Sequence, residues 1–255
     1  MRFATLVLAW TGALAAAPAA APLARTVTIY RDTYGVPHIF AKTDAGAVFG
    51  LMYAQAEDNF WQIETDYIRA LGRLAEVEGE SGLSNDVLRR AWEVERRGRE
   101  HYENATPQLR ALCDAFAGGL NYYLQKHPST RPRLLSRFEP WYLLVDELGA
   151  PAGAGITQAE RRRAFPILGA ATATAAPDEN EGSNMWAVSP ARSADGHALL
   201  LINPHVGFFG GGQRYEAHLH SAEGLDVSGF AILGTAYIRS GFNRYLGWSH
   251  TNNYA

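Results

Sequence analysis

A single cysteine, Cys113, stands among the 255 residues, so neither an intrachain disulfide nor a cysteine-built metal cluster is open to this chain. It lies between Leu112 and Phe116 in an apolar pattern and reads as an inert core residue rather than a nucleophile. An excess of one charge sign is missing too. The formal net charge of −3 gives no reason to expect nucleic acid or an anionic membrane surface as partner. No G-x-S-x-G elbow, H-E-x-x-H pair, Walker loop or dinucleotide fingerprint occurs. The glycine run Gly210, Gly211 and Gly212 has no helix after it to present N–H groups to a phosphate, so it reads as a loop. Internal repeats are absent, and beyond the N-terminus no apolar run approaches the length of a membrane span. What remains is an ordinary globular balance, 47% apolar and 19% charged, enough for one large core or two modest ones.

The N-terminus has its own layout. Arg2 precedes "FATLVLAWTGALAAA", and the small-residue stretch "APAAAPLA" follows. That run is too short and too poor in large side chains for a comfortable span, and it has the order of a secretory signal peptide. Residues 1–24 are therefore expected to form the signal segment, with cleavage after Ala19, where Ala17 and Ala19 satisfy the small-x-small rule. The mature chain is expected in the periplasm or the medium, with no membrane span.

Between Thr26 and Phe40, "TVTIYRDTYGVPHIF" alternates around a Tyr-Gly-Val-Pro break, which predicts two short strands and a turn. Thr43 or Asp44 caps a long helix with Phe60, Ile63, Tyr67, Leu71 and Leu74 at helical spacing. Ser84 to Arg97 reads as a second helix, with Val87, Leu88, Ala91 and Trp92 on one face. Thr106 then caps a helix opened by Pro107, carried by Leu109, Leu112, Cys113, Phe116, Leu120 and Leu124, and ended at His127-Pro128. From Gly149 the composition turns to Ala, Gly and Pro, a spacer with one charged island at Gln158 to Arg163. After it the period becomes two. "SNMWAVSP" and "HALLLINP" flank a turn at 193–196, and in "QRYEAHLHS" Tyr215, Ala217 and Leu219 alternate with Glu216, His218 and His220. The chain is thus α+β, mainly helical first and antiparallel β second.

Two clusters invite chemistry. Glu216, His218 and His220 share a strand face and, with His205, could ligate a metal; the same spacing is also the polar face of a half-exposed strand. The other is Gly182-Ser183-Asn184, at the entry to a strand expected to be buried. If the bond before Ser183 is cut, serine carries both a hydroxyl nucleophile and a free α-amine, whose pKa of about 7.7–8.0 suits a general base. The hydroxyl could make that cut itself by attacking the Gly182 carbonyl, and glycine tolerates strained backbone and close approach there. Taken alone, the tripeptide is equally a plain loop-to-strand junction.

The longer context weighs against the plain junction. "RDTYGVPHIFAKTDAGAVFGLMYAQAEDNFWQIETDYIRALGRLAEVEGE" resembles the opening signature of the penicillin acylase family of N-terminal-nucleophile hydrolases. "GSNMWAVSPARSADGHALLLINPHVGF" is similar to the start of that family's β-chain. The resemblance implies a four-layer α/β/β/α sandwich, with residues 25–149 as the helical α-chain region, 150–182 as spacer and 183–255 as the N-terminal part of the β-chain. It makes Ser183 nucleophile and base, and Gly182 the residue before the self-cleaved bond. His205 becomes the residue that holds the free amine, as in acyl-homoserine-lactone, aculeacin-type and cephalosporin acylases. Asn252, or by a slip of one Thr251 or Asn253, would give a backbone N–H to the oxyanion hole. Trp186 would be core or acyl-pocket wall.

The implied reaction is hydrolysis of an amide between an apolar acyl group and a polar amine, in an α/β heterodimer acting on a small molecule. No cofactor is implied, although a structural calcium occurs in the family and no ligand set for one stands out here. A second oxyanion donor and most of the β-sandwich are expected beyond Ala255, so these residues alone are not expected to catalyse. The rival reading is an exported, non-catalytic or metal-binding β-rich protein in which Ser183 is incidental.

Overall fold

The structure, a computed structural model, describes residues 23–145, 182–208 and 213–251. Nearly all of the signal segment and of the spacer, with Gly210 to Gly212 and Asn252, lie outside the described residues.

Strands β1 (Val27–Arg31) and β2 (Pro37–Ala41) form the expected hairpin. Thr43, not Asp44, caps helix α1 (Asp44–Ala70), its hydroxyl accepting the Gly46 N–H at 3.0 Å. The helix stops before Leu71 and Leu74. Gly72 turns the chain at φ +67, and Leu74 reaches the core from beyond that turn.

The helix expected over 84–97 is two helices, α2 (Leu83–Ala91) and α3 (Val94–Glu103), broken at Glu93 with φ 53. Its apolar face is not the buried one either: Val87 is exposed, whereas Asp86 and Arg89 are buried. The Asp86 carboxylate accepts the N–H groups of Leu74 and Ala75, both at 2.8 Å. Those two bonds decide which face turns inward, because a buried carboxylate without partners would be far costlier than an exposed valine.

Helix α4 (Pro107–Lys126) matches the expectation, with the Thr106 hydroxyl accepting from Leu109 N–H. It lies so close to α1 that a Cβ on Gly119 would come within 2.5 Å of the Phe49 carbonyl oxygen. Phe60 stacks on Tyr123 and Tyr67 meets Phe116 at a tilt across that contact. Cys113 is buried there, and burial pushes its thiol up to about 11, so it is protonated and unreactive at neutral pH.

The later segment adds β3 (Gly182–Val188), β4 (Leu199–His205), β5 (Arg214–Ser221), β6 (Asp226–Ile232), β7 (Ser240–Phe242) and β8 (Gly247–Trp248). A six-stranded sheet runs in the order β1-β2-β5-β6-β7-β8. Every pairing in it is antiparallel except β2 with β5, which is parallel and sets His38 beside His218 and Ile39 beside Leu219. The sheet therefore joins residues from before and after Ser183. Helix α1 covers one face, where Ile39, Ala217 and Leu219 are buried in one core with Phe60, Tyr67 and Phe116.

Strands β3 and β4 form a separate two-stranded sheet with none of its residues in that core. The expectation of a buried strand after Ser183 fails. With, among the described residues, one partner strand and no helix laid on it, β3 is half-buried or exposed throughout.

Candidate functional site

The β3–β4 ladder pairs Gly182 with His205, Ser183 with Pro204 and Asn184 with Asn203. Side chains alternate across a strand, so His205 projects on the Gly182 and Asn184 side, and the Ser183 hydroxyl on the other. A Cβ built on Gly182 would stand 3.6 Å from His205 Nδ1, an ordinary contact. Gly182 is also not among the glycines with positive φ. No strain at Gly182 accounts for the glycine in the uncut chain.

The Ser183 hydroxyl is turned back onto its own scissile side, its Oγ–H donating to the Gly182 carbonyl oxygen at 2.5 Å. Oγ thus sits beside the peptide it would have to attack. His205 is placed by two amides: Nε2 lies 3.1 Å from Asn184 Nδ2 and 3.2 Å from Asn203 Nδ2. Asn184 was expected here only as part of the Gly182-Ser183-Asn184 tripeptide, and neither asparagine was expected to contact His205. Their signal was only positional, one following the serine and the other two residues before the histidine.

Met185 and Ala187, on the same strand face as Ser183, line an open cavity of about 740 Å³ together with Phe242, Tyr245 and Leu246; Ser183 itself does not line it. Trp186 is on the opposite face, 68% exposed, and does not line that cavity. It is therefore not a core residue in this structure. Thr251 is exposed, and Asn252 lies outside the described residues.

The four candidate metal ligands do not converge. His205 belongs to the β3–β4 sheet, while Glu216, His218 and His220 are on β5 of the other. His218 instead contacts His38, Nδ1 to Nδ1 at 3.2 Å, and its Nε2 lies 2.9 Å from Asp226 Oδ1. His220 is 3.8 Å from the same carboxylate, and hydrogen bonding from His218 holds Asp226 below the usual carboxylate range. These are polar partners on the face of the sheet away from α1. Among the described residues no group of three or more His, Cys, Asp or Glu has a metal-holding arrangement.

Links across the Ser183 boundary are extensive. Tyr215 O–H donates across it to the Asp58 carboxylate at 2.7 Å, which also accepts from Arg31 on its own side at 2.9 Å. Gln55, fully buried, donates to Thr235 O and accepts from Gly234 N–H, and Tyr67 O–H donates to Gly234 O. Among the described residues no helix is long and apolar enough to cross a membrane.

Comparison with known proteins bears on residues 26–255, which match the family model described as penicillin amidase. An acyl-homoserine lactone acylase, PvdQ, of Pseudomonas savastanoi pv. phaseolicola is 28% identical over 88% of this chain and 33% of its own length. Aculeacin-A acylase of Actinoplanes utahensis is 30% identical over the same shares. A thermostable penicillin G acylase from Alcaligenes faecalis overlaps 47% of this chain and 69% of its own, at 24% identity and a TM-score of 0.42. The chain spans about a third of the length of the curated relatives it matches. With the two blocks that flank the spacer both inside the matched span, the chain belongs to the penicillin amidase family.

Proposed function

We propose that this chain is the N-terminal part of an exported amidohydrolase precursor that cuts itself before Ser183. The observation that carries the reading is the Gly182–Ser183 peptide itself. Its carbonyl oxygen is 2.5 Å from the Ser183 hydroxyl, and His205 stands across from Gly182 in the ladder. Attack by Oγ on the Gly182 carbonyl carbon forms an ester and frees the α-amine, and water hydrolyses the ester to leave Ser183 as a new N-terminus. That amine is then both base and neighbour of the nucleophile. In turnover, Oγ attacks the substrate amide, the amine takes its proton and returns it to the leaving amine, and water releases the acid from the acyl-enzyme.

The His205 ring, opposite Gly182, is suited to hold the freed amine. Asn252 is assigned the backbone N–H that receives the oxyanion, and Trp186 a place at the acyl pocket once further chain covers the exposed hairpin. The arrangement proposed for the intact protein is the four-layer sandwich, with residues 25–149 in the α-chain, 150–182 as spacer and β-chain from 183. Residues 1–24 are proposed as the export signal. The substrate class is an amide joining an apolar acyl group to a polar amine. That class is supported by relatives named for acyl-homoserine lactones, aculeacin A and penicillin, one of them named as a proenzyme. The chemistry proposed uses no metal or cofactor.

The test is N-terminal sequencing of the mature full-length protein. A chain beginning Ser-Asn-Met-Trp is expected. Active protein in which every chain begins near Ala20 would falsify self-cleavage.

A further inference from the structure

We infer that Asn184 and Asn203 are positioning residues that hold His205 in one tautomer, with its proton on Nδ1 and that nitrogen turned to the Gly182 side; this rests on the site reading above. The ladder registers the two asparagines as direct partners, on the same face as His205 and Gly182. Their amide nitrogens approach one ring atom, Nε2, at 3.1 and 3.2 Å. With both NH₂ groups facing it, Nε2 is the acceptor that they share, which puts the proton of the neutral imidazole on Nδ1.

Nδ1 is also the ring atom nearest Gly182, 3.6 Å from where its Cβ would be. Two amides on one side of the ring therefore fix what the other side presents: a donor, aimed at the segment whose peptide bond is to be cut. Each amide belongs to a different strand, so ring rotation about either χ angle breaks at least one contact. A single hydrogen bond on this exposed hairpin holds a ring orientation only weakly, whereas two converging ones, one from each strand, select a single orientation.

The consequence is specific to the direction of the proton. Asn203→Asp keeps the shape but replaces the donor with an acceptor, which favours a proton on Nε2. Asn203→Leu removes the donor and leaves Nε2 to water. Asn203 is the cleaner position, because it is far in sequence from the bond to be cut.

The experiment uses full-length protein with ¹⁵N-labelled histidine and the Ser183→Ala substitution to prevent turnover, so that His205 can be read by its ring ¹⁵N shifts at neutral pH. His205→Gln identifies the resonance. The expected pattern is a protonated Nδ1 and an unprotonated Nε2, changed to a protonated Nε2 in Asn203→Asp. With Ser183 intact, Asn203→Asp is expected to slow cleavage and lower kcat about 10- to 100-fold, in the range that small misplacements of reacting groups produce. Its KM should change little, and Asn203→Leu should fall between. A wild-type ring protonated on Nε2 overturns the inference. So does wild-type cleavage, kcat and pH profile in Asn203→Asp when Ser183→Ala is inert. Full cleavage by Ser183→Ala sinks the nucleophile reading instead, and the ¹⁵N shifts still report the tautomer separately.

Discussion

Cutting before Ser183 would turn an intramolecular contact into an intermolecular one, and Gln55 is where that can be measured. Its side chain is fully buried on α1, donating to Thr235 O at 3.0 Å and accepting from Gly234 N–H at 2.7 Å. Gly234 has φ +87, and Thr235 is buried beside it, so water does not readily replace either bond. Gln55→Leu keeps the volume and strands one buried donor and one buried acceptor. At about 1–3 kcal/mol for each stranded group, the loss is about 2–6 kcal/mol, and local relaxation places it near about 3 kcal/mol. Total stability in such domains is about 5–15 kcal/mol, so this is a large fraction. In the uncut Ser183→Ala chain the urea midpoint should fall by about 1 M, taking a slope of about 3 kcal/mol per M. In the matured protein the same loss becomes about 100-fold weaker association of the two chains, at 1.4 kcal/mol per tenfold. Tyr67→Phe, which strands only the Gly234 carbonyl, should cost less in both assays. Size-exclusion chromatography and native mass spectrometry across a urea series read the association. If Gln55→Leu leaves both midpoints where they are in the parent, then the clamp does not hold the two segments together, and the account of the boundary fails.

Ser183→Ala should abolish maturation and activity together, because one hydroxyl serves both steps; hydrolysis at the normal rate by the alanine variant would end the proposal. Ser183→Cys should still cleave itself, since a thiol performs the same acyl shift, yet turn over poorly, which a gel and a rate assay separate. His205→Gln and His205→Asn should fold but lose general-base assistance worth up to about 10²–10⁴-fold, with glutamine the milder change, measured as kcat/KM per matured molecule. The α-amine should give kcat/KM an acidic limb near or below the ordinary α-amino pKa of about 7.7–8.0, activity falling with pH as the amine is protonated; identical profiles in wild type and both variants would remove His205 from the site.

Much of the helical half was legible because its signals are local. Thr106-Pro107 and the apolar repeat through Leu120 need no distant partner to specify α4. The misplaced helix at 84–97 shows where local reading stops. Val87, Leu88, Ala91 and Trp92 make a plausible apolar stripe, but the decisive group is Asp86, whose partners are Leu74 and Ala75 N–H across a turn. Buried polar residues set by distant backbone leave no periodic trace. Glu64, wholly buried on α1, is another case: it takes three N–H groups from Arg133, Leu134 and Leu135. The parallel pairing of β2 with β5 was equally hidden, since alternation marks a strand and says nothing about which strand lies beside it.

The site divides along the same line. Gly182 and Ser183 could be named from residue type and order and His205 from the family resemblance, and the ladder then sets Gly182 against His205. What order could not supply is the side each group faces. A one-residue change of register would have put His205 with the Ser183 hydroxyl on one face; the observed register puts them on opposite faces, with the histidine beside Gly182. That distinction favours a role for His205 toward the amine over one toward the hydroxyl. Oγ already reaches the Gly182 carbonyl without help, whereas the nitrogen freed by the cut belongs to the peptide that His205 flanks. A base aimed at Oγ from the wrong face of a strand would have to cross the backbone, and a group that only orients the new N-terminus does not.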